Sequence, residues 1–134
     1  MFVWPVRVYY EDTDSGGVVY YANYLKFMER ARTEWLRARG LEQDALLQEQ
    51  RVMFAVRSLT VDYRRPARFN DLLVVNSRIV EAGGASFLFG QTIQRDASAE
   101  ILCSARVRVA CIDAETFRVR RVPRQLRETR GDCR

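Results

Sequence analysis

The sequence predicts an α+β domain in which one long helix lies against a run of antiparallel strands that curls around it. Three observations carry that reading. Apolar residues recur three or four positions apart over residues 23–39, the spacing of a single helical stripe. After Arg51 the apolar period drops to two and stays there almost to residue 112. The chain has 134 residues, 48% hydrophobic and 29% charged, close to the common size of one domain with one core.

The first strand covers residues 2–10, rich in Val, Tyr and Trp. Pro5, which cannot donate to an interior ladder, makes it an edge strand. Residues 11–17, Glu-Asp-Thr-Asp-Ser-Gly-Gly, break it with a tight loop. On the helix, Tyr24, Phe27, Met28, Ala31, Trp35 and Ala38 form the apolar stripe. Asn23 is the candidate N-cap, and Gly40 with Leu41 fits a helix C-terminus and its apolar clasp. Arg30 and Glu34 are spaced as an i,i+4 ion pair. A second, shorter helix covers residues 43–50.

Further strands are expected at residues 72–80, 86–94 and 101–112, with turns at Gly83-Gly84 and Asp96-Ala97-Ser98. Before them, the apolar set Val52, Phe54, Val56 moves to Leu59, Val61, Tyr63. The phase slips near Arg57-Ser58, which predicts a bulge or sharp bend. The sheet is left with open edges, and pairing with a second copy would cover them. The domain is assigned to residues 1–125. Residues 126–134 close an arginine-rich stretch (Arg118, Arg120, Arg121, Arg124, Arg127, Arg130, Arg134) and are expected to be a flexible tail, capable of weak contact with an anionic membrane surface.

Composition excludes several chemistries. There is no histidine, so neither a Ser-His-Asp nor a Cys-His nucleophile system exists, nor a His-bearing zinc site. Proton chemistry must run on carboxylates, tyrosines, backbone or water. Cys103, Cys111 and Cys133 form no CxxC pair, so no disulfide framework or Cys-only metal site is indicated, and free thiols in a reducing cytoplasm are expected. No signal peptide and no apolar run of the ~18 residues that span a bilayer appears, and the localisation expected is cytoplasmic. The formal charge of +5 favours acidic partners without choosing among them. The arginines are scattered and partly offset by acids, so nucleic acid is not the expected partner.

Residues 8–32 hold the chemistry. Glu11, Asp12, Asp14 and the Gly16-Gly17 pair directly precede the helix start, where N–H groups lie unpaired and partial positive charge collects. A carboxylate serving as base or nucleophile and helix N–H groups serving as an oxyanion hole are the components of acyl transfer without histidine. The same spacing also suits an acid that merely caps the helix or stabilises the turn.

The stretch Arg7-Val8-Tyr9-Tyr10-Glu11-Asp12-Thr13-Asp14, with Gly17-Val18-Val19-Tyr20, Asn23-Tyr24-Leu25 and Glu29-Arg30-Ala31-Arg32-Thr33, resembles the signature of the 4-hydroxybenzoyl-CoA thioesterase family. Within that family it is similar to the Tol–Pal-associated, YbgC-like acyl-CoA thioesterases. Tyr63-Arg64-Arg65-Pro66-Ala67 and Asp71-Leu72-Leu73 continue the match. The resemblance implies a hotdog fold, a curved antiparallel sheet wrapped around one long helix, assembled as a homodimer or homotetramer. It implies hydrolysis of an acyl-CoA or acyl-carrier-protein thioester, with no metal and no cofactor, coenzyme A being part of the substrate. The catalytic acid maps onto Asp14, and the N–H that polarises the thioester carbonyl maps near Tyr21. YbgC-like members typically carry histidine where this chain has Tyr21, whereas the hydroxybenzoyl-CoA branch can have tyrosine there; the backbone N–H is the same in either case. Gly17, Tyr20 and Asn23 lie at matching positions and are candidate substrate-binding residues.

Arg64 and Arg65 are candidates for the coenzyme A phosphates, since guanidinium forks suit phosphate oxygens; solvated strand-end arginines are the alternative. Tyr9, Tyr10 and Tyr20 are candidates for an acyl pocket or for core. Glu29 is either a second site carboxylate or a helix ion-pair partner. The competing functional class is a non-catalytic module that binds acyl carriers or lipid.

Overall fold

The computed structural model describes residues 2–127. Five strands, β1 (Phe2–Arg7), β2 (Val52–Tyr63), β3 (Leu72–Gly83), β4 (Ser86–Arg95) and β5 (Ile101–Asp113), form one antiparallel sheet in the order β1-β3-β4-β5-β2. Helix α1 (Tyr21–Ala38) packs on it, followed by α2 (Gln43–Gln50), and a short α3 (Arg124–Arg127) ends the described chain.

Strand β1 lies on an edge as Pro5 requires, but it stops at Arg7. Beyond it the Val8 N–H donates to the Asp71 carbonyl, and residues Tyr10–Asp12 close into a 3-10 turn. The slip expected near Arg57-Ser58 is a register shift between Val56 and Ser58 in the pairing of β2 with β5. Along β5, Cys103, Ala105, Val107, Val109 and Cys111 are buried, while Arg106 points to solvent. This is the alternation of a sheet with one packed face.

Helix α1 buries Tyr24, Phe27, Met28, Ala31 and Trp35 against the sheet. Trp35 meets Phe89 edge to face with centroids 5.2 Å apart, and the Arg39 guanidinium sits 3.7 Å from the Trp35 ring centroid. Two details differ from the periodicity. Leu36 is buried and Ala38 exposed; the turn at Gly40 brings Leu41 back, its N–H donating to the Leu36 carbonyl at 3.0 Å. Glu34 pairs with Arg37 rather than Arg30, and Arg37 also reaches Glu42 beyond the turn.

Helix α1 also starts two residues before the expected cap. Tyr20 occupies the N-cap position and makes no side-chain cap. The segment after β5 returns to the sheet: Asp113 accepts from Arg120, the Val122 N–H donates to the Gly84 carbonyl, and Val122 and Leu126 are buried. Leu126 therefore belongs to the core, one residue past the assigned domain boundary. The remainder of the expected tail, residues 128–134, lies outside the described residues.

Candidate active site

The acidic loop is held at both ends. Its base closes through a bridge between Thr13 and Val19, and the Asp14 N–H donates to the Val18 carbonyl at 2.9 Å. Gly17 carries φ +78°, a left-handed conformation that favours glycine, and its N–H donates to the Asp14 carbonyl at 3.1 Å. Within this frame Asp14 is exposed. Its Oδ1 accepts the Gly16 N–H at 2.8 Å, and no described residue donates to its Oδ2. One oxygen anchors the carboxylate and the other stays open.

Asp12, two residues earlier, is built differently. It is 7% exposed, with Oδ2 accepting the Tyr9 N–H and Oδ1 accepting the Asn23 amide, both at 2.9 Å. Its carbonyl takes the Tyr20 N–H at 2.9 Å. Asp12 thus ties the loop to α1. Asn23 is correspondingly neither an N-cap nor open to a ligand: it is 8% exposed and its amide is directed at Asp12. The structure places this candidate substrate-binding residue behind the loop, bonded to Asp12.

With Asp12 and Asn23 occupied by each other, the start of α1 has no cap and no acid in its first turn. Among the described residues nothing accepts from the Tyr21 N–H. An open N–H at a helix N-terminus carries the partial positive charge that attracts an anionic oxygen. The Tyr21 side chain is 60% exposed, its ring 4.8 Å from that of Tyr20 and 6.1 Å from that of Tyr63. Tyr20 is exposed beside it. A hydrogen bond between the Tyr20 and Tyr21 side chains raises the Tyr20 pKa above the usual tyrosine value. Burial does the same for Tyr63 and for Tyr24, whose hydroxyl accepts the Ala67 N–H at 2.9 Å. Tyr20, Tyr24 and Tyr63 therefore stay neutral at physiological pH and cannot act as general bases. Burial pushes the Cys103 thiol up to about 12 and raises Cys111, so neither supplies a thiolate nucleophile. No group of three metal-ligating side chains exists among the described residues.

Arg64 and Arg65 lie just past β2. Arg64 pairs with Asp62 at 2.9 Å and Arg65 with Glu100 at 3.7 Å; all four side chains are largely exposed. Exposed pairs of this kind are worth only ~0–1 kcal/mol, so a phosphate can displace the carboxylates. Glu29 is exposed and lines a cavity of about 330 Å³ with Arg32, Thr33 and Leu36, walled by Phe54 and Phe87.

Arg32, on the wall of that cavity, belongs to a network absent from the sequence analysis. Arg32 Nη1 donates to Gln91 Oε1 at 3.0 Å, and Gln91 Nε2 donates to the Met28 carbonyl and to Ser77 Oγ. Gln91 is 2% exposed, and desolvation lowers the Arg32 pKa. The signal was present: Gln91 interrupts the inward series Phe87, Phe89, Ile93 on β4.

A curved sheet enclosing one helix, with its polar loop at that helix's start, is the hotdog fold. The chain belongs to the thioesterase-like superfamily, whose family model matches residues 8–129. Within it, the chain is 46% identical over 126 residues to the acyl-CoA thioesterase YbgC of Haemophilus influenzae, covering 94% of this chain and 91% of that one. It is 48% identical over 126 residues to the acyl-CoA thioester hydrolase YbgC of Escherichia coli O157:H7, covering 94% and 92%. A probable thioesterase from Bartonella henselae superposes with a TM-score of 0.84 at 38% identity, over 90% of this chain and 98% of the other. A 1,4-dihydroxy-2-naphthoyl-CoA thioesterase from Synechocystis gives 0.89 at 26%, over 98% and 96%.

Proposed function

We propose that this protein hydrolyses acyl-CoA thioesters to the free acid and coenzyme A. Asp14 acts as nucleophile or general base, and the Tyr21 N–H is the oxyanion donor. One observation carries the reading: an anchored carboxylate with a free oxygen lies on a loop that runs directly into an uncapped helix start. The relatives named acyl-CoA thioesterases support the substrate class.

In one route Asp14 Oδ2 attacks the thioester carbonyl carbon. The carbonyl electrons move to an oxyanion facing the Tyr21 N–H and return as the C–S bond breaks. Water then hydrolyses the acyl–Asp14 anhydride and regenerates the carboxylate. In the other route Asp14 takes a proton from water as it attacks the same carbon. Either way sulfur leaves as a thiolate of pKa near ~8.5, as judged from cysteine, so no strong general acid is needed and histidine is dispensable. Neither route requires a metal or cofactor.

Open sheet edges at β1 and β2, with Val56, Leu59 and Tyr63 exposed on β2, support a homodimer or homotetramer. The reading is of a cytoplasmic enzyme; no helix among the described residues is long and apolar enough to cross a membrane. Thiol release measured over a panel of acyl-CoAs tests it. Release by the intact protein is expected. Tight binding of acyl-CoA without release would instead make it a non-catalytic acyl-binding module.

A further inference from the structure

Tyr10 and Phe69 stack face to face, with centroids 3.8 Å apart and an interplanar angle of 10°, in water. Tyr10 is 75% exposed and Phe69 40%, so burial in the core does not account for the pair. The two rings form one wall of a shallow depression of about 470 Å³, mostly apolar, completed by Arg7, Tyr9, Glu11 and Asn70.

The polar groups around this platform are arranged for a ligand. Arg7 Nη1 donates to the Asn70 carbonyl at 2.8 Å, which holds the guanidinium at the rim with its other N–H groups open. Asn70 has φ +70°, and its N–H donates to the Val8 carbonyl at 3.0 Å. The Asn70 side-chain amide makes no hydrogen bond to any described residue, so a donor and an acceptor lie free beside the rings. Glu11 adds an acceptor.

The segments that carry the depression are tied to the Asp14 loop. The Phe69 N–H reaches the Gly17 carbonyl at 3.4 Å, Val18 bridges to Arg68, and Tyr10 precedes Asp14 by four residues. Four residues span at most ~14 Å, so the patch lies within that distance of Asp14. A substrate whose reactive thioester is joined by a flexible arm to a planar, phosphorylated base needs a platform placed in this way.

We propose that Tyr10 and Phe69 bind the adenine of the coenzyme A half of the substrate. The outer face of Tyr10 stacks on the base, the Asn70 amide and the Glu11 carboxylate meet its edge, and Arg7 faces the phosphates. This rests on the acyl-CoA reading above. It selects acyl-CoA over an acyl carrier protein, whose pantetheine arm carries no adenine. An aromatic face stacks on a base through its π-face, an amide pairs with the donor and acceptor edge of adenine, and guanidinium suits phosphate.

The test is calorimetric titration with the nucleotide half alone, 3′-phosphoadenosine 5′-diphosphate, against the intact protein, Tyr10→Ala and Phe69→Leu. The intact protein is expected to bind, and Tyr10→Ala to weaken binding by roughly tenfold, within the range measured for lost base stacking. Phe69→Leu keeps apolar contact under Tyr10 and should weaken it less. In kinetics, Tyr10→Ala should raise KM for an acyl-CoA by a clearly larger factor than KM for the matching acyl-pantetheine thioester. Absence of nucleotide binding by the intact protein, or equal affinity in Tyr10→Ala, overturns the proposal. Equal losses on both thioesters overturn it too, because the pair would then only shape the Asp14 loop. Nucleotide binding that depends on Tyr10 without turnover of any thioester would fail the thioesterase reading and leave the adenine site standing.

Discussion

At its C-terminal end α1 closes on itself. Gly40 takes φ +78° and donates to the Arg37 carbonyl, Leu41 donates to the Leu36 carbonyl, and Leu41 is buried. At its N-terminal end the same helix has no cap, no acid in the first turn and an open Tyr21 N–H. Capping residues are not lacking there. Asp12, Asp14 and Asn23 all lie within reach in sequence, but Asp12 and Asn23 hold each other and Asp14 holds Gly16. A closed end contributes stability, whereas an open end beside a carboxylate gives up the ~1 kcal/mol of a cap and keeps a preorganised dipole. The closed end and the open end of one helix thus differ in where their neighbouring polar groups are engaged.

The sharpest way to break this comparison is at Asp14. Asp14→Asn should lower kcat on an acyl-CoA by about 10²–10⁴ with little change in Tm. Near-normal turnover in a destabilised protein would make Asp14 a turn residue instead. Asp12→Asn should do the reverse. Its new amide would face the Tyr9 N–H or the Asn23 amide, leaving a buried donor without an acceptor and costing about 1–3 kcal/mol. Calorimetry should show a lower Tm, with turnover scaling to the folded fraction.

At the closed end, Gly40→Ala places a Cβ at a left-handed φ and should cost about 1 kcal/mol, with kcat and KM preserved. A catalytic defect there would mean that the two ends are coupled. The smallest effect is expected for Tyr21→Phe. It keeps the N–H, so kcat should stay within roughly tenfold, small beside the 10²–10³ of a lost oxyanion donor. A collapse of kcat in a folded Tyr21→Phe protein would assign the role to the hydroxyl.

Much of the frame was legible in order. The helix stripe, the slip at Arg57-Ser58 and the edge position of β1 all follow from local period and from proline, which act over a few residues. The errors share one cause. Asn23 was read as a cap because caps are local, but its partner Asp12 lies eleven residues back across a folded loop. Leu36 rather than Ala38 is buried at the end of the helix, where Leu41 folds back past the Gly40 turn and donates to the Leu36 carbonyl. Gln91 faces inward because three partners from Arg32, Met28 and Ser77 meet it there.

By itself the sequence determined the class of fold and the absence of imidazole chemistry, and it marked out the acidic loop before the helix as the candidate site. These depend on residue type and on spacing along the chain. Only the tertiary structure decided which acid of the loop is buried and which is open, since Asp12 and Asp14 are chemically alike and only two residues apart. The choice was made by two local turns and by one contact from the helix. The Asn23 amide and the Tyr9 N–H surround Asp12, while the glycine turn leaves one oxygen of Asp14 in solvent. The same holds for the Tyr10–Phe69 platform, whose rings are 59 positions apart in the sequence and are brought together by the pairing of residue 70 with Val8.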